Sequence, residues 1–135
     1  TYAEVARVLK PNGGIYMVDF GHLKATNSIA YFASQYADRQ PKLFTVDYLN
    51  SLHAAFYVTD MRGAAQPLLG QAKLYQTFIV PYMVALKSRP RRSPDTALNA
   101  QLAGIKRSLP SWHKRDFADL KTFFRMGGMS CALLR

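Results

Sequence analysis

An α/β fold is predicted from three observations. A helical segment closed by a Gly-Gly turn runs straight into a short apolar strand, helical periodicity then recurs over three segments, and two further strands follow with only a tight turn between them. With 135 residues, 49% of them hydrophobic, the chain has the size and composition of one globular domain with one packed core.

The first element is a helix through Tyr2, Glu4, Val5, Ala6, Arg7, Val8 and Leu9, with Val5, Val8 and Leu9 on one face and a stop at Pro11-Asn12-Gly13-Gly14. The apolar run 15–20 (Ile15, Tyr16, Met17, Val18, Asp19, Phe20) has the pattern of a strand covered on both faces in a parallel sheet. Helix, glycine turn and buried strand make half of a βαβ unit.

Over 28–40 the residues Ile29, Phe32, Ala33, Tyr36 and Ala37 fall at helical spacing, with Thr26, Asn27 or Ser28 as cap and Pro41 as terminator. A second helix is expected over 46–56, capped by Thr45 and burying Val46, Leu49, Leu52 and Phe56; a third starts at Asp60 and ends by Pro67. Residues 72–78 alternate polar and apolar, and 82–87 are more uniformly apolar. These two strands meet at Val80-Pro81, so they pair as an antiparallel hairpin. A Pro/Ser/Arg linker at 88–94 leads to two helices over 95–109 and 115–126, the second directing Phe117, Leu120, Phe123 and Phe124 inward before Gly127 ends it.

The formal charge of +10 is unevenly placed. Seven basic and five acidic residues lie up to Leu86, against eleven and three from Lys87 onward, so the excess belongs to the carboxy-terminal part. That distribution fits a solvated basic face or a partner such as nucleic acid. Cys131 is the single cysteine, which excludes an intrachain disulfide and a Cys-based metal cluster, and a cytoplasmic location is expected. Because the longest apolar run, 78–86, contains Pro81 and falls far short of the ~20 residues a spanning helix needs, no membrane partner is expected. The amino terminus shows a charged helical pattern rather than a signal peptide.

The stretch Glu4-Val5-Ala6-Arg7-Val8-Leu9-Lys10-Pro11-Asn12-Gly13-Gly14 and the strand after it resemble the segment entering the fifth strand of class I S-adenosylmethionine-dependent methyltransferases, of the methyltransferase type 11-like kind. Asn12 replaces the usual glycine, and Asn also tolerates a left-handed backbone. The hairpin is similar to that family's antiparallel sixth and seventh strands, and 109–128 resembles a carboxy-terminal extension of one bacterial subset. What the resemblance implies is a partial Rossmann-like methyltransferase fold: residues 1–88 as the carboxy-terminal half of the catalytic domain, 89–94 as linker and 95–135 as a basic helical extension. It further implies that the full-length enzyme uses S-adenosylmethionine to methylate a small-molecule acceptor.

The family's glycine-rich cofactor loop follows a strand, whereas Gly13-Gly14 and Gly127-Gly128 follow helices. No cofactor-binding residue is therefore assigned, and the chain alone is expected to be inactive and to bind no cofactor. Strand 15–20 would have one neighbour, the hairpin's second strand, and a bare opposite edge. That edge is expected to dock a missing amino-terminal half or to self-associate.

Asp19, Phe20 and His22 fall at the carboxy end of the predicted strand, where doubly wound folds place ligands, so they are candidate substrate contacts. Capping of a turn by Asp19 and an exposed loop position for His22 are the alternatives. Asp47, Tyr48, Asn50 and His53, on the helix after it, are further candidates, or simply a polar outer face. Tyr31 and Tyr36 read as core aromatics, and Trp112-His113 as an anchor for the tail. No catalytic base is assigned, and His22, His53 and His113 lack metal-ligand spacing. Two other functions remain open: a nucleic-acid-binding module using the basic tail, and a noncatalytic domain that completes a partner's sheet.

Overall fold

The computed structural model describes residues 1–93 and 95–131. Pro94 of the expected linker and the last four positions of the expected extension lie outside the described residues. The chain is α/β, with six α-helices and a three-stranded sheet among the described residues.

Helix α1 (Tyr2–Val8) ends in the Pro11-Asn12 turn, where Asn12 takes φ 61°, the left-handed conformation that Asn tolerates. Strand β1 (Tyr16–Phe20) follows. Ile15 extends its tie to the sheet: its N–H donates to Ser88 Oγ at 3.1 Å, and its carbonyl accepts from Ser88 N–H at 3.0 Å. Helices α2 (Thr26–Ser34), α3 (Lys42–Ala54) and α4 (Val58–Ala64) come next, then a single 3-10 turn (Gln66–Leu68). Strands β2 (Ala72–Gln76) and β3 (Met83–Ser88) form the hairpin, and α5 (Thr96–Ser108) and α6 (Ser111–Met126) close the chain.

Sheet order is β1-β3-β2, with both pairings antiparallel: Val18 faces Ala85, and Leu74 faces Leu86. The hairpin's second strand is therefore the central one. Successive residues of a strand point to opposite faces, and β3 shows it. Leu86 packs with Ala65, Leu68 and Ala72 under α1, whereas Ala85 packs with Phe124 and Met129 from α6 and the turn after it. A third cluster, Leu23, Ile29, Ala33 and Leu52, lies between α2 and α3.

Several expectations are corrected. Strand β1 has no parallel strand beside it among the described residues, and it is not covered on both faces: Tyr16 is 64% and Val18 39% exposed. Its apolar character exceeds what its single strand neighbour and the adjacent helices cover. Helix α2 stops at Ser34 instead of near 40, with Ala25 at its cap position. The following turns carry Tyr36 away to the tail, where its hydroxyl donates to Asp116 Oδ1 at 2.6 Å and its ring lies 4.8 Å from that of Trp112. Trp112 thus anchors α6, while Tyr31 is exposed and is no core residue.

Helix α3 begins four residues before Val46, because Pro41, with φ already at −57°, can lead directly into a helix. Thr45 sits inside it and accepts from Gln40 Nε2 at 2.9 Å. Val46 and Phe56 are exposed, leaving Leu49 and Leu52 as the inward stripe. Helix α4 starts at Val58, two residues before Asp60. Val8 faces solvent rather than the core, and so does Phe123 in large part. Helix α5 follows an Asp95 cap, whose carboxylate accepts from Leu98 N–H at 2.6 Å, and α6 begins at Ser111, four residues earlier than expected.

Candidate functional site

The carboxy end of β1 is where the structure gathers aromatic and titratable side chains. Gly21 N–H donates to Tyr82 O at 3.1 Å on the hairpin side, and His22 N–H donates to Phe56 O at 3.0 Å. The second bond, with the parallel bridge between Gly21 and Phe56, draws the segment after α3 alongside the outgoing chain. His22 then meets the Ala55 carbonyl through Nδ1 at 3.2 Å, and its ring lies 4.3 Å from that of Tyr57. A carbonyl can only accept, so in this bond Nδ1–H is the donor, and Nε2 is the ring nitrogen that the bond leaves unused.

Phe20 forms the floor of an aromatic group, 5.3 Å from Tyr48 and 5.8 Å from Tyr82 between ring centres. Phe32 stacks on Tyr82 at 4.4 Å, and Phe44 flanks Tyr48 at 6.3 Å. The Tyr48 and Tyr82 hydroxyls are hydrogen-bonded to each other. Burial, with a smaller contribution from the Asp116 charge, pushes the Tyr82 phenol up to about 12. It is therefore neutral at physiological pH, a hydrogen-bonding group and not a base.

This has a measurable consequence. A phenol whose folded-state value is raised favours folding fully below its ordinary value of ~10, and that contribution is lost as pH climbs through about 12. In an alkaline titration followed by phenolate absorbance, Tyr82 is expected to ionise last, and Tyr82→Phe to remove that final phase. A Tyr82→Phe trace with the final phase intact would refute the assignment.

Of the sequence-derived candidates, the structure brings Phe20 and Tyr48 together and places His22 on the adjoining turn. Asp19 points to the other face by strand alternation, exposed, where its carboxylate accepts from Phe20 N–H at 2.8 Å. Asp47, Asn50 and His53 lie along the exposed side of α3, away from Leu49 and Leu52. Tyr82, Phe32 and Tyr57 were not among the candidates. Only the aromatic residue straight after Pro81, at the mouth of the hairpin, hinted at the first of them.

No group of three or more His, Cys, Asp or Glu able to hold a metal ion is present among the described residues. No helix among them is long and apolar enough to cross a membrane. A cavity of about 660 Å³ exists, but at the other end of the strands, remote from this aromatic group. The chain matches no family model, no curated protein and no solved structure.

Proposed function

We propose that the chain is the carboxy-terminal half of a class I S-adenosylmethionine-dependent methyltransferase, contributing the acceptor side of the site while a separate segment holds the methyl donor. The observation that carries this reading is the sheet order β1-β3-β2, in which the hairpin's second strand pairs with β1 and, among the described residues, no strand pairs with β1's other edge. A strand this apolar with one strand neighbour fits a sheet that continues through another segment.

On this reading the Phe20, Tyr48 and Tyr82 group lines the acceptor pocket. Methyl transfer needs in-line positioning and loss of a proton from the acceptor. The aromatic walls would orient a small apolar acceptor, the Tyr48 hydroxyl would hydrogen-bond it, and His22, on the turn that leaves β1, would take its proton through Nε2.

Calorimetric titration with S-adenosylmethionine tests the reading. The chain by itself is expected to bind more weakly than about 1 mM, and the polypeptide that also includes the coding region upstream of Thr1 at micromolar level, a gain of at least about 4 kcal/mol. Micromolar binding by these 135 residues alone, or an upstream region without a strand and glycine-rich turn in frame, would overturn it.

A further inference from the structure

The cavity at the amino end of β1 is lined by Asn12, Lys73, Tyr75, Lys87, Arg89 and Arg91 among others, and no acidic residue among the described ones lines it. Its four cations come from two places in the chain, Lys73 on β2 and the stretch 87–91 that ends β3 and follows it. Lys73 and Lys87 are direct partners in the register of β2 and β3, so their Cβ atoms stand about 5 Å apart on one face of the sheet. Like charges placed opposite each other destabilise a strand pair. Among the described residues Lys87 Nζ donates only to the Ser88 and Ser130 carbonyls, both at 3.4 Å, which offer no countercharge.

The Arg-rich segment after β3, exposed along its described length, adds to the same charge. Arg91 Nη2 donates to Gly13 O at 3.3 Å, which folds the segment back over the turn that follows α1. Arg89 and Arg91 thereby line the same concavity as Lys73, Tyr75 and Lys87. Convergent cations without an acidic neighbour, in a hollow of about 660 Å³, match a small anionic ligand in size and charge. They do not match a long polyanion, which would be tracked by a stripe of charge.

We propose that this cleft binds a small soluble molecule carrying a diphosphate or a pair of phosphates, with Lys73 and Lys87 gripping it from the sheet and Arg89 and Arg91 from the side. Guanidinium groups suit bidentate phosphate contacts, and lysines supply point charges. The site is independent of the methyl-transfer reading, since none of its residues belongs to the carboxy end of β1.

The test is calorimetric titration with inorganic pyrophosphate at low salt, on the chain, on a Lys73→Ala/Lys87→Ala pair and on a Lys114→Ala/Lys121→Ala pair in α6 that removes the same charge. Saturable one-to-one binding is expected, weakened at least about tenfold by the cleft pair and by less than about twofold by the α6 pair. Pyrophosphate should also raise the unfolding temperature of the unmodified chain and not that of the cleft pair, which separates lost binding from lost folding. Absence of saturable binding, equal weakening by both pairs, or tighter binding of a DNA duplex that depends on the α6 lysines would each overturn the proposal.

Discussion

Gly21→Ala is expected to remove about 3 kcal/mol of stability, a large share of the 5–15 kcal/mol typical of a domain. A Cβ at this position would run into the Pro81 carbonyl oxygen and would also sit 3.0 Å from Val84 Cγ2. The oxygen belongs to backbone that cannot step aside. The adjacent Val80 carbonyl accepts from Thr77 Oγ1 at 2.7 Å, and the same Thr77 Oγ1 accepts from Met83 N–H at 3.1 Å, tying the turn on both sides of Pro81. Relief would have to come from β1 moving off the hairpin, with loss of the Gly21 bond to Tyr82 O. At Gly70, where nothing lies within 4 Å of a built Cβ, alanine should be nearly neutral. Equal urea midpoints for the two variants would contradict this close approach.

Leu52→Ala should lose a comparable amount, about 3 kcal/mol, through the cavity it leaves. Its side chain is fully buried against Leu23, Ile29 and Ala33, with Phe20, Phe32, Tyr48, Leu49 and Tyr82 packed around that cluster. The same residues shape the candidate site, so a second effect is expected: the last tyrosine to ionise should move back toward its ordinary value as water reaches Tyr82. Leu43→Ala, on an exposed position of the same helix, is expected to change stability by less than about 0.5 kcal/mol. A Leu52→Ala variant with unchanged stability would show that this cluster is not a core.

Local chemistry made much of the fold readable in advance. The strand after Gly13-Gly14, the hairpin and the left-handed Asn12 follow from turn residues and short-range hydrophobic pattern, and the hairpin's second strand is the neighbour of β1 as expected, a pairing that local pattern alone does not fix. What escaped depends on partners distant in sequence. Helix α2 ends early and Tyr36 turns toward Trp112 and Asp116, 80 residues from that carboxylate, a pairing no window around Ser34 contains. Ile79 takes φ 65°, a costly conformation for a β-branched residue, in a turn pinned by the buried Thr77. Tyr82 joins the candidate site only because α2 and α3 fold over it, and the Lys73–Lys87 juxtaposition exists only through strand register. The candidates Asp47, Asn50 and His53 were chosen by residue type, and helix phase puts them on the side away from Leu49 and Leu52.

The central physical claim is that the sheet is open along β1 and takes up another strand there. With Tyr16 and Val18 exposed on it, that edge should make the isolated chain associate as its concentration rises. Sedimentation equilibrium of the chain and of Val18→Lys, which puts a charge on the open strand, is the most direct measurement. The expected result is concentration-dependent self-association of the former and its suppression in the latter. A stable monodisperse monomer for the unmodified chain, with β1 amides exchanging freely with solvent, would contradict the claim.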